Sequence, residues 1–190
     1  MFEAFRQYTS QFITLSVSEQ QGFENIFACR QVPAKTKLTR EGQTANELFF
    51  INKGLVRLYY TKEEKEYTGF IFREHLFASS YESFLQQTSS IQTLETIEDC
   101  ELLVCQHQQL QQLYDKIPAL HILARKVAEQ RFMSAQMIIS SFVLDSPEER
   151  YLYFLRHHGD LLLRVPHHII ASYLGISPVS LSRIRKRQIK

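Results

Sequence analysis

The spacing of apolar positions divides the chain into three stretches. In residues 1–27, Phe2, Phe5, Phe12 and Leu15 recur at mixed helical spacing, and Ser18-Glu19-Gln20-Gln21 reads as a helix start. Residues 29–105 change character. Short runs rich in β-branched and aromatic residues, at 29–32, 37–40, 48–52, 55–61, 66–72, 91–97 and 101–105, alternate with turn signals. Glu41-Gly42 and Lys53-Gly54 punctuate them, each glycine suited to positive φ. This pattern predicts seven or eight short antiparallel strands, packed as a sandwich or jelly roll. From about residue 106 the pattern turns helical. Leu110, Leu113 and Tyr114 precede Pro118, which suits the first turn of a helix running to about residue 143, roughly 39 Å long. Leu120, Leu123, Ala124, Val127, Met133, Met137, Ile138 and Phe142 supply it with an apolar stripe. A helix of that length usually packs on a partner, and a parallel dimer is the economical arrangement; packing inside one chain is the alternative. Asp145-Ser146-Pro147-Glu148-Glu149 reads as a helix restart, with a cap, a proline at the first position and glutamates on the positive end of the dipole. The expected fold class is α+β. An effector domain is expected over residues 1–117, a dimerisation helix over 118–144 and a helical domain over 145–190.

The last of these stretches carries the chemistry. Ile169, Ile170, Tyr173 and Leu174 supply the inner face of a first helix, with the small Ala171 at the crossing point. Gly175 permits the left-handed conformation that ends it, and Ile176 plugs the gap to a second helix. Ser177 can cap that second helix and Pro178 suits its first position. Leu181 and Ile184 hold it down, which leaves Val179, Ser180, Ser182, Arg183, Lys186 and Arg187 facing solvent. A second helix with small polar residues early and basic residues late fits a helix-turn-helix that inserts its N-terminal end in the major groove of double-stranded DNA. Lysine and arginine would then hold phosphates. Arg183 is the candidate for bidentate contact with guanine O6 and N7.

Charge supports this reading. The net charge of +2 hides an asymmetry: residues 161–190 contain no acidic side chain and carry +6, leaving −4 on the rest. A basic C-terminal unit suits a polyanionic partner. Apolar residues at 44% and charged residues at 22% are ordinary for a packed globular protein. No apolar run is long enough to span a bilayer and residues 1–11 show no signal pattern, so a cytoplasmic protein without membrane contact is expected. Cys29, Cys100 and Cys105 lack the grouping that a disulfide framework, zinc ribbon or iron–sulfur cluster needs, and reduced, mostly buried thiols are expected.

The segments Ala171-Ser172-Tyr173-Leu174-Gly175-Ile176-Ser177-Pro178 and Leu181-Ser182-Arg183-Ile184-Arg185-Lys186 closely resemble the helix-turn-helix of the Crp/Fnr family of regulators, especially its Bacteroidetes members. Pro147-Glu148-Glu149-Arg150-Tyr151 resembles the family's lead into that domain. Arg40-Glu41-Gly42, Leu48 to Arg57, Tyr81 to Leu85 and Ile91 to Glu95 are similar to its effector domain. The resemblance implies a cyclic-nucleotide-binding-like β-roll, a dimerisation helix, homodimers on DNA, and RNA polymerase as a candidate further partner. Two departures stand out. Cyclic-nucleotide binders of the family carry a Gly-Glu pair for the ribose and an Arg-Ser pair for the phosphate. Here Phe77-Ala78-Ser79-Ser80-Tyr81 lacks the first and Thr88-Ser89-Ser90-Ile91 the second. Cyclic AMP is therefore not expected to bind tightly and no cofactor is expected; Ser79, Ser80, Tyr81, Ser89 and Ser90 mark where another effector would sit, the alternative being a filled pocket without a ligand. Val179 stands where many relatives have glutamate, so apolar contact, for example with a thymine methyl, replaces a contact with cytosine.

His157-His158 and His167-His168 look like metal pairs, but neighbouring helical residues face different sides, so metal binding is not expected. No Walker-type loop, nucleophile elbow or HExxH motif occurs, and an enzyme is not expected. The rival reading is a ligand-binding or dimeric interaction module with a vestigial helix-turn-helix that does not read DNA.

Overall fold

The computed structural model describes residues 2–188. Two short helices, α1 (Glu3–Thr9) and α2 (Val17–Asn25), open the chain. α2 starts at a capping box in which Ser16 Oγ accepts from the Glu19 N–H and the Glu19 carboxylate accepts from the Ser16 N–H, two residues before the expected start.

Eight strands follow: β1 (Ala28–Val32), β2 (Lys37–Thr39), β3 (Glu47–Lys53), β4 (Val56–Lys62), β5 (Lys65–Phe72), β6 (Phe77–Ala78), β7 (Thr93–Thr96) and β8 (Cys100–Gln106). A short helix, α3 (Tyr81–Gln86), interrupts them. Every pairing is antiparallel, in two four-stranded sheets ordered β1-β8-β3-β6 and β2-β7-β4-β5. β6 was not apparent in the sequence pattern; it is two residues long and fully buried, so it shows no alternation.

Period-two alternation explains how one sheet serves two cores. On β3, Phe49 and Ile51 point between the sheets while Phe50 points outward; on β8, Leu102 and Val104 point in while Leu103 and Cys105 point out. Val56, Phe72 and Leu94 complete the inner layer. The outward residues of the first sheet meet Phe5, Phe23, Leu110, Leu120 and Leu123 from the flanking helices. Two turns set the strand geometry. Gly54 sits at φ +100, and a Cβ there would lie 2.6 Å from Cys100 Sγ, so β3 can pass into β4 only through glycine. The β4–β5 hairpin turns on Glu63 (φ 51) and Glu64 (φ 61), both left-handed as the twist of a two-residue hairpin requires.

α4 (His107–Tyr114) leads to α5 (Ala119–Leu144). The apolar stripe expected along α5 for a single purpose divides in two. Leu120 and Leu123 are buried in their own chain and Val127 packs beside them. Beyond that point most apolar side chains are open, Ile138 being half-buried: Phe132 is 64% exposed, Val143 75% and Leu144 78%, with Met133, Met137 and Ile139 also exposed. The N-terminal half lies over the roll, and the C-terminal half extends past it.

Ser146 caps α6 (Pro147–His158), again with a capping box through Glu149, and α7 (Leu161–Arg164), α8 (His167–Tyr173) and α9 (Pro178–Gln188) complete the chain. These helices share a core with the roll. Leu55, Ile71 and Ile97, on the outer side of the second sheet, join Tyr151, Phe154, Leu161, Ile169 and Ile170 in one buried cluster. Polar contacts ring it. Ser172 Oγ accepts from the Thr68 N–H at 2.8 Å and donates to the Glu66 carbonyl at 2.9 Å. Arg73 pairs with Asp160 at 2.5 Å. Arg164 pairs with both Glu74 and Glu98.

Burial pushes the Glu74 carboxyl up, but Arg164, together with the Glu74 and Gly54 N–H groups, outweighs it and holds the group below its ordinary value. A depressed carboxylate contributes stability above its unfolded value, near 4.5, and loses it as pH falls through the folded value. Thermal melts should therefore hold level from pH 7 to 5 as far as this contact is concerned, and fall below about 4.5. Arg164→Met should cost about 1 kcal/mol at pH 7 and flatten that acid limb; an unchanged acid limb would mean the contact contributes nothing.

Candidate nucleic-acid interface

α8 and α9 form a helix pair whose turn is fixed by backbone chemistry. Gly175 lies at φ +66, its N–H bonds to the Ser172 carbonyl and the Ile176 N–H to the Ala171 carbonyl, the paired bonds of a Schellman ending. A Cβ on Gly175 would stand 2.4 Å from the ring of Phe142, near the end of α5. Ser177 Oγ then accepts from the Ser180 N–H at 3.1 Å and starts α9. Leu181, fully buried, and Ile184 seat the helix on Ile169, Ile170, Ala171 and Leu174.

With that face buried, the other is fixed in solvent. Val179 is 60% exposed, and Ser177, Pro178, Ser182, Arg183, Lys186 and Arg187 are exposed with it. Ser180 differs from expectation: it is half-buried and its hydroxyl shares a 2.9 Å hydrogen bond with that of Ser177. Arg187 lies 4.0 Å from Glu148, too far for a firm pair. Burial, then the charges of Arg185 and His168, lower the pKa of His167, as expected in a positive field. The C-terminal Lys190 counted in the basic tail lies outside the described residues.

Arg150 ties this pair to α5. Its Nε donates to the Leu174 carbonyl at 3.0 Å, its Nη1 to the Asp145 carbonyl at 2.7 Å, and its guanidinium covers the Phe142 ring at 4.9 Å. Sequence reasoning did not single out Arg150, Arg164 or Ser172 for these roles, because each acts on a partner distant in sequence.

The five residues expected around an effector are placed together at the start of α3 and in the loop after it. Ser79 donates to the Glu47 carbonyl at 3.1 Å. Ser80 and Ser90 share a 2.7 Å bond, Ser80 also reaches Gln92 at 3.1 Å, and Ser90 donates to the Gln92 carbonyl at 2.7 Å. These three hydroxyls are buried and engaged within the chain. Ser89 is exposed, its backbone bridging to Thr44. Tyr81 is half-buried, its hydroxyl pKa raised by burial and partly offset by the charge of Arg131. Arg131 reaches this side of the roll from α5. Among the described residues no three His, Cys, Asp or Glu side chains gather to hold a metal ion. His157 instead lies against Tyr153 and His158 against Phe154. Cys29, Cys100 and Cys105 are free; burial pushes the thiol pKa of Cys100 and Cys105 up to about 12, so neither is a ready thiolate.

Gly175→Ala places a side chain at positive φ and against Phe142, which should destabilise the protein by about 1–2 kcal/mol or more. Urea unfolding measures this; an unchanged midpoint would contradict the turn geometry.

Residues 29–116 match the cyclic nucleotide-binding domain family. Solved structures match over nearly the whole chain. The c-di-GMP-responsive global regulator CLP of Xanthomonas campestris is 19% identical with a TM-score of 0.73, covering 91% of each chain. FixK2 of Bradyrhizobium japonicum is 14% identical with a TM-score of 0.75, covering 85% of this chain and 84% of its own. A protein from Eubacterium rectale assigned to the Crp/Fnr family of transcriptional regulators is 15% identical with a TM-score of 0.73, covering 92% and 84%. No curated protein sequence matches. Likeness at this level of identity speaks for architecture, and it agrees with the order of roll, long helix and C-terminal helices seen here. Residues 29–116 thus resemble a cyclic nucleotide-binding domain, and the chain as a whole shares the fold of these solved structures.

Proposed function

We propose that this protein is a dimeric, cytoplasmic, DNA-binding transcription regulator that does not respond to cyclic AMP. The observation that carries the reading is the face of α9. Leu181 and Ile184 anchor one side of the helix, which leaves Val179, Ser182, Arg183, Lys186 and Arg187 exposed together on the other. That is the division of labour a major-groove helix needs. Arg183 takes the base-reading role, Val179 an apolar contact, and Ser177, Ser180, Ser182, Lys186 and Arg187 the sugar–phosphate backbone.

A second copy of the chain supplies the rest. The exposed Phe132, Met133, Met137, Ile139, Val143 and Leu144 give the distal half of α5 an apolar surface suited to pairing with itself. Residues 118–144 then act as the dimerisation helix, 1–117 as the effector domain and 145–190 as the DNA-binding domain. Two recognition helices would meet half-sites about 34 Å apart. Against cyclic AMP stands the state of the roll's own loop: Ser79, Ser80 and Ser90 are bonded within the chain, and Gln92, bonded to Tyr60, brings no charge.

Selection of genomic fragments by the purified protein, at near-physiological salt and without nucleotide, tests this. A recurring inverted repeat should emerge. Arg183→Ala should weaken binding by about 1–3 kcal/mol and relax one base position, while Lys186→Ala should reduce the slope of log affinity against log salt by about one. No enrichment at any salt would leave the helix pair without a DNA role.

A further inference from the structure

Arg131 is a half-buried cation without an anion beside it among the described residues. It points from α5 to the inner side of β5, where its guanidinium lies 4.5 Å from the ring centre of Phe70 and 4.3 Å from that of Phe72. Its Nη1 is shut from solvent and meets no acceptor, and among the described residues no carboxylate forms an ion pair with it. Other arginines at the roll do have carboxylate partners: Arg57 has Glu66 and Glu95, Arg30 has Glu47, Arg73 has Asp160, and Arg164 has Glu74 and Glu98. Burial lowers the Arg131 pKa to about 10, so it remains charged at neutral pH.

Two aromatic faces offset part of the cost of removing that charge from water. They use the flat side of the guanidinium and leave its forked N–H edge, the side that takes carboxylate or phosphate in bidentate fashion. Tyr81 feels this charge: burial raises its hydroxyl pKa, and Arg131 opposes that larger effect by favouring ionisation. Tyr81 also lines an apolar hollow with Phe77, Phe84 and Val127, the last one turn before Arg131 on the same face of α5.

The geometry points to an anion site built on Arg131, with Tyr81 beside it and Phe70 and Phe72 beneath, for a small organic phosphate or carboxylate. The ligand is gripped by α5 rather than by the roll's own loop. It therefore bridges the roll to the helix whose distal half is unpaired, and it binds whether or not α9 reads DNA.

The test uses the full-length protein without DNA. Thermal melts are run in inorganic phosphate in one arm and benzoate in the other, each against sodium chloride at matched ionic strength. General salting effects stabilise wild type and variants alike. The site adds a stabilisation that saturates in at least one arm. Arg131→Met keeps the packing on the two rings and removes the charge. It should weaken the saturating response roughly tenfold or more, and without added anion it should melt at or above the wild-type temperature. Arg131→Lys should keep only part of the response. Saturation by phosphate alone or benzoate alone assigns the headgroup. A lower melting temperature for Arg131→Met with an undiminished anion response would show that the side chain merely staples α5 to the roll. An absence of saturable response from wild type in both arms would likewise overturn the site.

Discussion

The edge of a sheet is an unfinished surface, and β5 is the edge of the second sheet. Its free N–H and carbonyl groups must be covered, bonded to water or paired. Ser172 resolves this with one hydroxyl, accepting from the Thr68 N–H and donating to the Glu66 carbonyl, as a neighbouring strand would. Around that contact Leu55, Ile71 and Ile97 give up their solvent exposure to the C-terminal helices. The consequence is that the helix pair has no separate core. Its apolar residues are shared with the roll, and its position is set by the strand it completes.

Two further couplings reach the same helix pair. Phe142, near the end of α5, stands against Gly175 in the turn between α8 and α9, and Arg150 holds both that ring and the end of α8. Arg164 pins the segment between α6 and α8 to Glu74 and Glu98. The roll and α5 therefore both contact the helix pair that presents Val179 and Arg183. An anion held at Arg131 would lie between α5, which carries that arginine, and β5, whose Phe70 and Phe72 rings it covers. A ligand can shift an arrangement only by binding two arrangements unequally; at this position it would touch both α5 and β5.

What was legible in the sequence is what is local. Caps, prolines and glycines act within a turn of themselves, so the break at Ser146-Pro147, the turn at Gly175 and the start of α9 at Ser177 could be read directly. The strands were visible wherever alternation ran for several residues, and β6 escaped because two buried residues carry no period. Along α5 the apolar residues were found but their allocation was not, since nothing in the sequence says where the roll ends beneath the helix. The pairings that fix the site were out of reach. Ser172 with Thr68 and Arg164 with Glu74 join residues far apart in sequence, and Arg131 lies well beyond the roll whose interior it enters.

The central claim is that the C-terminal helices complete the roll at β5. Native-state amide hydrogen exchange at Thr68 tests it directly. The Thr68 N–H faces away from β4 and its protection comes from Ser172. It should exchange as slowly as amides within the β4–β7 ladder, and Ser172→Ala should release it to fast exchange while those amides stay protected. Rapid exchange of Thr68 in the wild-type protein would contradict the account, because the helix pair would then be held by something other than this edge.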